Sequence, residues 1–225
     1  MNESKGKVSG KFILCIGIAI FLTYVPILGS YVGVINTVIH ESGHAFMALL
    51  GGNVHEIQLF MNTEGVTYSR HTSWISAFFT GLAGYTFSSF IAFVSIWLIS
   101  KQKYKSLIFI LLAFIALNLI FWVRNFYGLF WLGSFGAGFL LLLYKGHPTL
   151  VKYALLLIAC ILLVESFTSS FEIMVLSFMQ PQSAGDATVL SKASLFIPAQ
   201  LWGMFFLLQA VLFLLIGWRK KIFRV

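Results

Sequence analysis

The sequence predicts an all-α polytopic membrane protein of about six to seven transmembrane helices, with a short membrane-associated β-hairpin after the second apolar run. Three observations carry this. Of the 225 residues, 59% are hydrophobic and only 10% are charged, whereas soluble domains carry about 25% charged residues. The apolar residues fall in runs at 12–29, 31–50, 74–100, 106–123, 126–144, 149–168 and 198–218, each close to the ~20 residues that a bilayer crossing needs. Residues 53–69 break this pattern and alternate instead. The runs are tightly connected, which predicts a single integral membrane domain over 1–225 with a basic tail at 1–11.

Met1 to Lys11 is basic and precedes an apolar run, as in a signal peptide. The run is long, however, and no small-x-small site closes it, so a retained first span is expected. Pro26 and Gly29 end the first run, and Gly51-Gly52 stop the second as a C-terminal helix cap. In the hairpin segment Ile57, Leu59 and Met61 alternate with Glu56, Gln58 and Phe60. Asn62-Thr63-Glu64-Gly65 makes the turn, and Val66 and Tyr68 resume the alternation. Bare strand edges are not tolerated against lipid, so the hairpin must be covered by protein or border a watery cavity. A free edge there could pair with an extended peptide. Ala77, Gly81, Gly84 and Ser88 give the third run a small-residue face for close helix packing. Arg124-Asn125 separates the fourth and fifth runs: either a tight turn with Arg124 snorkelling to the interface, or a polar pair facing a cavity and steadying a carbonyl oxygen. Cys15 and Cys160 sit inside apolar runs and read as buried small hydrophobes.

The formal net charge is +8, but the basic residues lie in short loops and at the two termini. Those positions suit lipid headgroups and topology setting. No nucleic-acid partner is expected; the partner that the composition demands is the lipid bilayer.

The chemistry is concentrated at His40-Glu41-Ser42-Gly43-His44. On a helix, His40 and His44 project from one face within reach of a single ion. Glu41 lies about 100° further round, close enough to act on a water without itself becoming a ligand. Two neutral nitrogen ligands, an open position and an adjacent base are what a zinc hydrolase requires. Ionisable residues in an apolar span are costly and mark function by default.

Such hydrolases take a third protein ligand. Asp186 is the only aspartate in the chain, in the helix-breaking stretch Gln180-Pro181-Gln182-Ser183-Ala184-Gly185-Asp186-Ala187. Its small neighbours let it approach a metal on another helix. Glu165 and Glu172, seven apart on one helical face, are rivals, and His55 and His71 could compete from the hairpin.

These residues together resemble the site-2-protease-like intramembrane zinc metallopeptidases, in the compact bacterial branch that lacks a PDZ domain. The carriers are His40-Glu41-Ser42-Gly43-His44-Ala45, Gly51-Gly52-Asn53-Val54, Gly65-Val66-Thr67-Tyr68, Gly84-Tyr85, Arg124-Asn125 and Asp186-Ala187, spread over about 33 to 205. The first element is specific in this setting and the others are individually weak. Pro181 to Asp186 keeps the spacing of the family's N-x-x-P-x-x-x-x-D-G motif, with Phe178 for its asparagine and Ala187 for its glycine. Asn125 is a possible substitute for that asparagine.

The resemblance implies a multi-pass zinc endopeptidase of the bacterial cell membrane that cuts membrane-protein or peptide substrates within or beside the bilayer. His40, His44 and Asp186 would be the metal ligands and Zn2+ the cofactor. Glu41 would be the base that activates zinc-bound water, and Asn125, Arg124 and Leu59 candidate substrate contacts. Together with Lys5, Lys7 and Lys11 the resemblance places the N-terminus in the cytoplasm. Seven spans would nevertheless leave nine of the 15 basic residues outside, against the positive-inside tendency. Two other classes remain open from sequence: a metal transporter using the His/Asp cluster, and a proteolytically silent scaffold of the same fold.

Overall fold

The computed structural model describes residues 8–194 and 196–225; of the basic tail, Lys5 and Lys7 lie outside the described residues. Helix α1 (Gly10–Tyr24) and helix α2 (Leu28–Leu49) are bent by 107° at the short break between them. The cause is local. Pro26 cannot donate a helical hydrogen bond and pushes the preceding residue out of the helical region. Val25 is accordingly extended, and Ile27 takes a positive φ of 66°. The two runs expected as separate crossings are therefore at most one broken span. Alone, α2 is too polar to count, because Asn36, Thr37, His40, Glu41, Ser42 and His44 interrupt it.

Five further helices are long and apolar enough to cross a membrane. They are α3 (Trp74–Ser100), α4 (Tyr104–Leu117) continued by a π-helical turn (Asn118–Trp122), α5 (Phe126–Lys145), α6 (Pro148–Met179) and α8 (Ala199–Arg219). Among the described residues the count is five spans, or six with the bent pair, the low end of the expected range. The apolar run at 149–168 continues well past its expected end. Helix α6 has 32 residues and so extends about 48 Å, longer than the ~30 Å hydrocarbon core. The segment after it does break at Gln180, but it re-forms as a short helix α7 (Gly185–Ser194). Thr188 ties its entry: the Thr188 hydroxyl accepts from the Ala184 amide at 2.8 Å and donates to the Pro181 carbonyl at 2.9 Å.

The hairpin forms as expected. Strands β1 (Gly52–Leu59) and β2 (Gly65–His71) pair antiparallel, with Gly52 opposite His71 and Leu59 opposite Gly65. A bulge between Val54 and Glu56 shifts the register. The outer edge of β1 is covered: Ile57 bridges Val123 in parallel, and the Asn125 side chain takes both backbone groups of Leu59. Among the described residues β2 pairs with no strand other than β1.

Two glycines set how closely α3 is approached. A Cβ on Gly43 would stand 2.8 Å from the Phe87 Cβ and 3.0 Å from the Ala83 carbonyl, so the bare backbone lets α2 lie against α3. A Cβ on Gly81 would meet Leu190 at 3.1 Å, which seats α7 on the same helix. Gly81 of the small-residue face read from sequence thus seats α7 on α3, and Gly43 of α2 lets that helix lie against it.

Candidate metal centre

Helix α2 turns the two imidazoles of its motif toward one point. The Nε2 atoms of His40 and His44 lie 2.9 Å apart. From α7, the Asp186 carboxylate brings Oδ2 to 3.3 Å from His40 Nε2 and 3.1 Å from His44 Nε2. Three ligand atoms at ~2.0–2.2 Å from a tetrahedral ion sit about 3.3–3.5 Å from one another. The observed triangle, with sides of 2.9, 3.1 and 3.3 Å, is close to that size.

The donors are fixed from behind. His44 Nδ1 lies 2.7 Å from the Thr80 carbonyl, to which it donates, leaving the Nε2 lone pair directed at the common point. The His40 ring stands edge-on to Tyr85, centroids 4.6 Å apart at 87°. Gly84 closes this wall, since a Cβ there would stand 2.5 Å from His44 Nε2 and crowd His40 Nε2 as well. Behind the motif, Ser42 donates to the Val38 carbonyl and accepts from Asn118 Nδ2 at 2.7 Å, pinning α2 to the π-helical turn.

Glu41 is buried and lies beside the trio. Its Oε2 accepts a 2.6 Å hydrogen bond from the Thr67 hydroxyl of β2. Its Oε1 faces Gly65, where a Cβ would come within 2.8 Å. Two cavities meet at this carboxylate. One, about 350 Å³, is bordered by Asp186, both histidines and β2. The other, about 580 Å³, shares His40, Glu41, Gly65 and Tyr85 and runs along α6.

Burial opposes ionisation of Asp186, but the His44 and His40 imidazoles, when protonated in the metal-free site, outweigh it and hold the carboxyl below the usual range. On β2, burial pushes His71 below its ordinary value. Zinc fits the donor set: two imidazole nitrogens and a carboxylate oxygen that is buried without a hydrogen-bond partner, gathered within 4.8 Å.

The Peptidase M50B-like family model matches residues 13–217. The chain belongs to this family. The resemblance to site-2-protease-like metallopeptidases, drawn from the motifs above, is borne out. No curated protein and no solved structure matches the chain. Family membership and the apolar helices together make it a multi-pass membrane protein of a metalloprotease family.

In this M50B-like chain the rival ligands stand elsewhere. Glu165 and Glu172 line the larger cavity, outside the group of converging atoms. His71 borders the smaller cavity, within reach of the Ser69 and Ser76 hydroxyls at 3.1 and 3.2 Å, and His55 lies on a separate surface depression with Asn53 and Arg70. Arg124, Asn125 and Leu59, expected as substrate contacts, border neither cavity at Glu41. The Arg124 guanidinium donates to the carbonyls of Ile120, Phe121 and Val123, capping the π-helical turn. Asn125 donates to the Leu59 carbonyl at 2.6 Å and accepts from its amide at 3.1 Å. That satisfies β1 as a neighbouring strand would.

Sequence reasoning did not single out Thr67, Thr80 or Asn118. Thr67 lies on the inward face of β2 while the apolar Val66 and Tyr68 are exposed, so the apolar alternation pointed to the wrong face and gave no signal for it. Thr80 acts through its carbonyl, which every residue has, and left no trace.

Proposed function

We propose that this chain is an intramembrane zinc metalloprotease that hydrolyses peptide bonds of membrane proteins within or next to the bilayer. The observation that carries the reading is the convergence of His40, His44 and Asp186 beside a carboxylate, Glu41, that is held by its own partner and is not one of the three. A transit site for metal ions has no need of that fourth group; hydrolysis does.

In this reading His40 Nε2, His44 Nε2 and an Asp186 oxygen hold Zn2+, which when bound polarises a scissile carbonyl and acidifies water. Glu41 takes the proton from the attacking water at Oε1, while Thr67 keeps Oε2 in place. Glu41 then returns that proton to the departing amine nitrogen, so the base of the first half is the acid of the second. The cavities on either side of Glu41 let water and an extended backbone reach it. The edge of β2 away from β1, which pairs with no strand among the described residues, offers main-chain hydrogen bonds to such a strand, and the covered edge of β1 does not. Substrate helices must unwind locally to present a carbonyl there.

The test is Glu41→Gln in the purified, zinc-loaded chain with candidate membrane substrates. The variant should bind zinc as the wild type does and lose cleavage. Normal cleavage by the variant would refute the assignment.

A further inference from the structure

The larger cavity beside Glu41 has chemistry that the hydrolytic step does not use. Helix α6 contributes Glu165 and Glu172 to its wall, and the hairpin turn contributes Glu64. Glu165 and Glu172, two turns apart, stand about 10 Å apart along the helix axis. Neither forms an ion pair with any lysine or arginine among the described residues, where the only ion pairs are those of Asp186 with the two histidines. Glu165, within the apolar part of the helix and without a counter-charge, faces this cavity, as an ionisable residue in a span does, and Glu172 stands at its exposed end.

A second observation points the same way. Asn36, on α2 one turn before His40, is 6% exposed and lines this cavity, and its side-chain oxygen is buried with no hydrogen-bond partner. Beside Asn36, a Cβ on Gly33 would stand 3.5 Å from the Glu165 carboxylate, which places that carboxylate against α2. The site thus offers mainly acceptors, a buried amide oxygen and carboxylates, with the unpartnered Ser169 hydroxyl beside them. Its remaining wall mixes the hydroxyl residues Thr37, Thr63 and Ser169 with an apolar stretch from Ile173, Leu176 and Met179. A long aliphatic stem ending in a cation matches both surfaces at once.

We propose that this cavity is a specificity subsite that takes a lysine or arginine side chain of the substrate, next to the scissile bond. The adjacency follows from the shared wall: His40, Glu41, Gly65 and Tyr85 border this cavity and the one holding Asp186. The stem lies along Ile173 and Leu176, and the charged head lies between Glu165 and Glu172 on the side of the cavity that Asn36 lines. The volume of about 580 Å³ lies within the ~300–1,000 Å³ of ligand sites. The inference rests on the proteolytic reading above.

The test uses the full chain in detergent, zinc-loaded, and two labelled apolar peptides that differ only in one central residue, lysine or norleucine. Binding is measured by fluorescence anisotropy in the Glu41→Gln background, so that nothing is cut. The lysine peptide should bind at least about tenfold more tightly. Adding Glu165→Gln and Glu172→Gln should erase that difference and leave norleucine binding unchanged. Equal affinities, no binding of either peptide, or a lysine preference that survives both substitutions overturns the proposal. If the double substitution also abolishes norleucine binding, Glu172→Gln alone, at an exposed position, is read instead. Reduced selectivity supports the subsite and unchanged selectivity overturns it. Cleavage of the same peptides by the chain with Glu41 intact separates the two readings. Cleavage with no lysine preference overturns the subsite and keeps the protease. Lysine-selective binding that depends on Glu165 and Glu172, with neither peptide cut, supports the cation subsite and removes the protease.

Discussion

Replacing Gly84 by alanine puts a methyl group where the two imidazole nitrogens now lie. Helix propensity alone favours the change, since alanine in a helix interior is about 1 kcal/mol better than glycine. The site opposes it. The added Cβ would stand 2.5 Å from both His40 Cε1 and His44 Nε2, where non-bonded atoms keep about 3.5 Å. The rings or α3 must give way by roughly 1 Å, whereas ligand distances at a working metal site hold within about 0.2 Å. The clash is present in the metal-free chain too, so overpacking of about 1–3 kcal/mol outweighs or offsets the propensity gain. Stability should stay level or fall by up to about 2 kcal/mol, while zinc affinity falls by on the order of 100-fold or more, beyond what loss of an outer-shell partner costs. Competition against a chromogenic zinc chelator in detergent measures the affinity, and thermal unfolding of the metal-free chain measures stability. Gly133→Ala and Gly138→Ala, where nothing lies within 4 Å of the added atom, serve as controls. Zinc affinity within threefold of wild type in Gly84→Ala, a change of about 0.6 kcal/mol, would refute the reasoning.

The other expectations concern the groups around that point. Thr67→Val removes the donor to Glu41 Oε2; turnover should drop about 10- to 100-fold with zinc affinity unchanged, in steady-state cleavage beside chelator competition. Asp186→Asn keeps the size of the side chain and removes its charge, and zinc binding should weaken by about 100-fold or more, seen as metal lost on gel filtration. Asn118→Ala leaves the buried Ser42 hydroxyl without its donor, at a cost of about 1–3 kcal/mol. This should appear as a lower unfolding temperature in the metal-free chain.

How much could be read in advance depended on distance along the chain. His40, Glu41 and His44 fall within five residues, and helical periodicity alone sets their relative directions. The hairpin was equally local, an alternation closed by a turn at Asn62–Gly65, and it forms with the expected strands. The spans were read from hydropathy, which is summed over a window and blind to direction. It could not register that Pro26 turns the chain by 107°, nor that α6 runs on to Met179. The polar stretch after Gln180 looked like a loop because its small and polar residues are poor helix formers. It is helical from Gly185, where packing of Leu190 against α3 supplies what propensity lacks.

By itself, then, the sequence determined the membrane setting, the helical class, the hairpin and the three motif residues, because each is encoded by neighbours within a turn, a strand or a span. It favoured Asp186 over Glu165 and Glu172 for the third ligand position, on its small neighbours and its spacing from Pro181, but could not place any of the three in space. Only the tertiary structure decided which one stands beside the imidazoles: the bare backbone of Gly81 seats α7, and with it Asp186, on the helix that also backs His40 and His44. The same packing sends Glu165 and Glu172 to the neighbouring cavity and gives Asn125 to Leu59. Contacts between residues far apart in the chain are set by which surfaces can approach closely, and no local pattern records that.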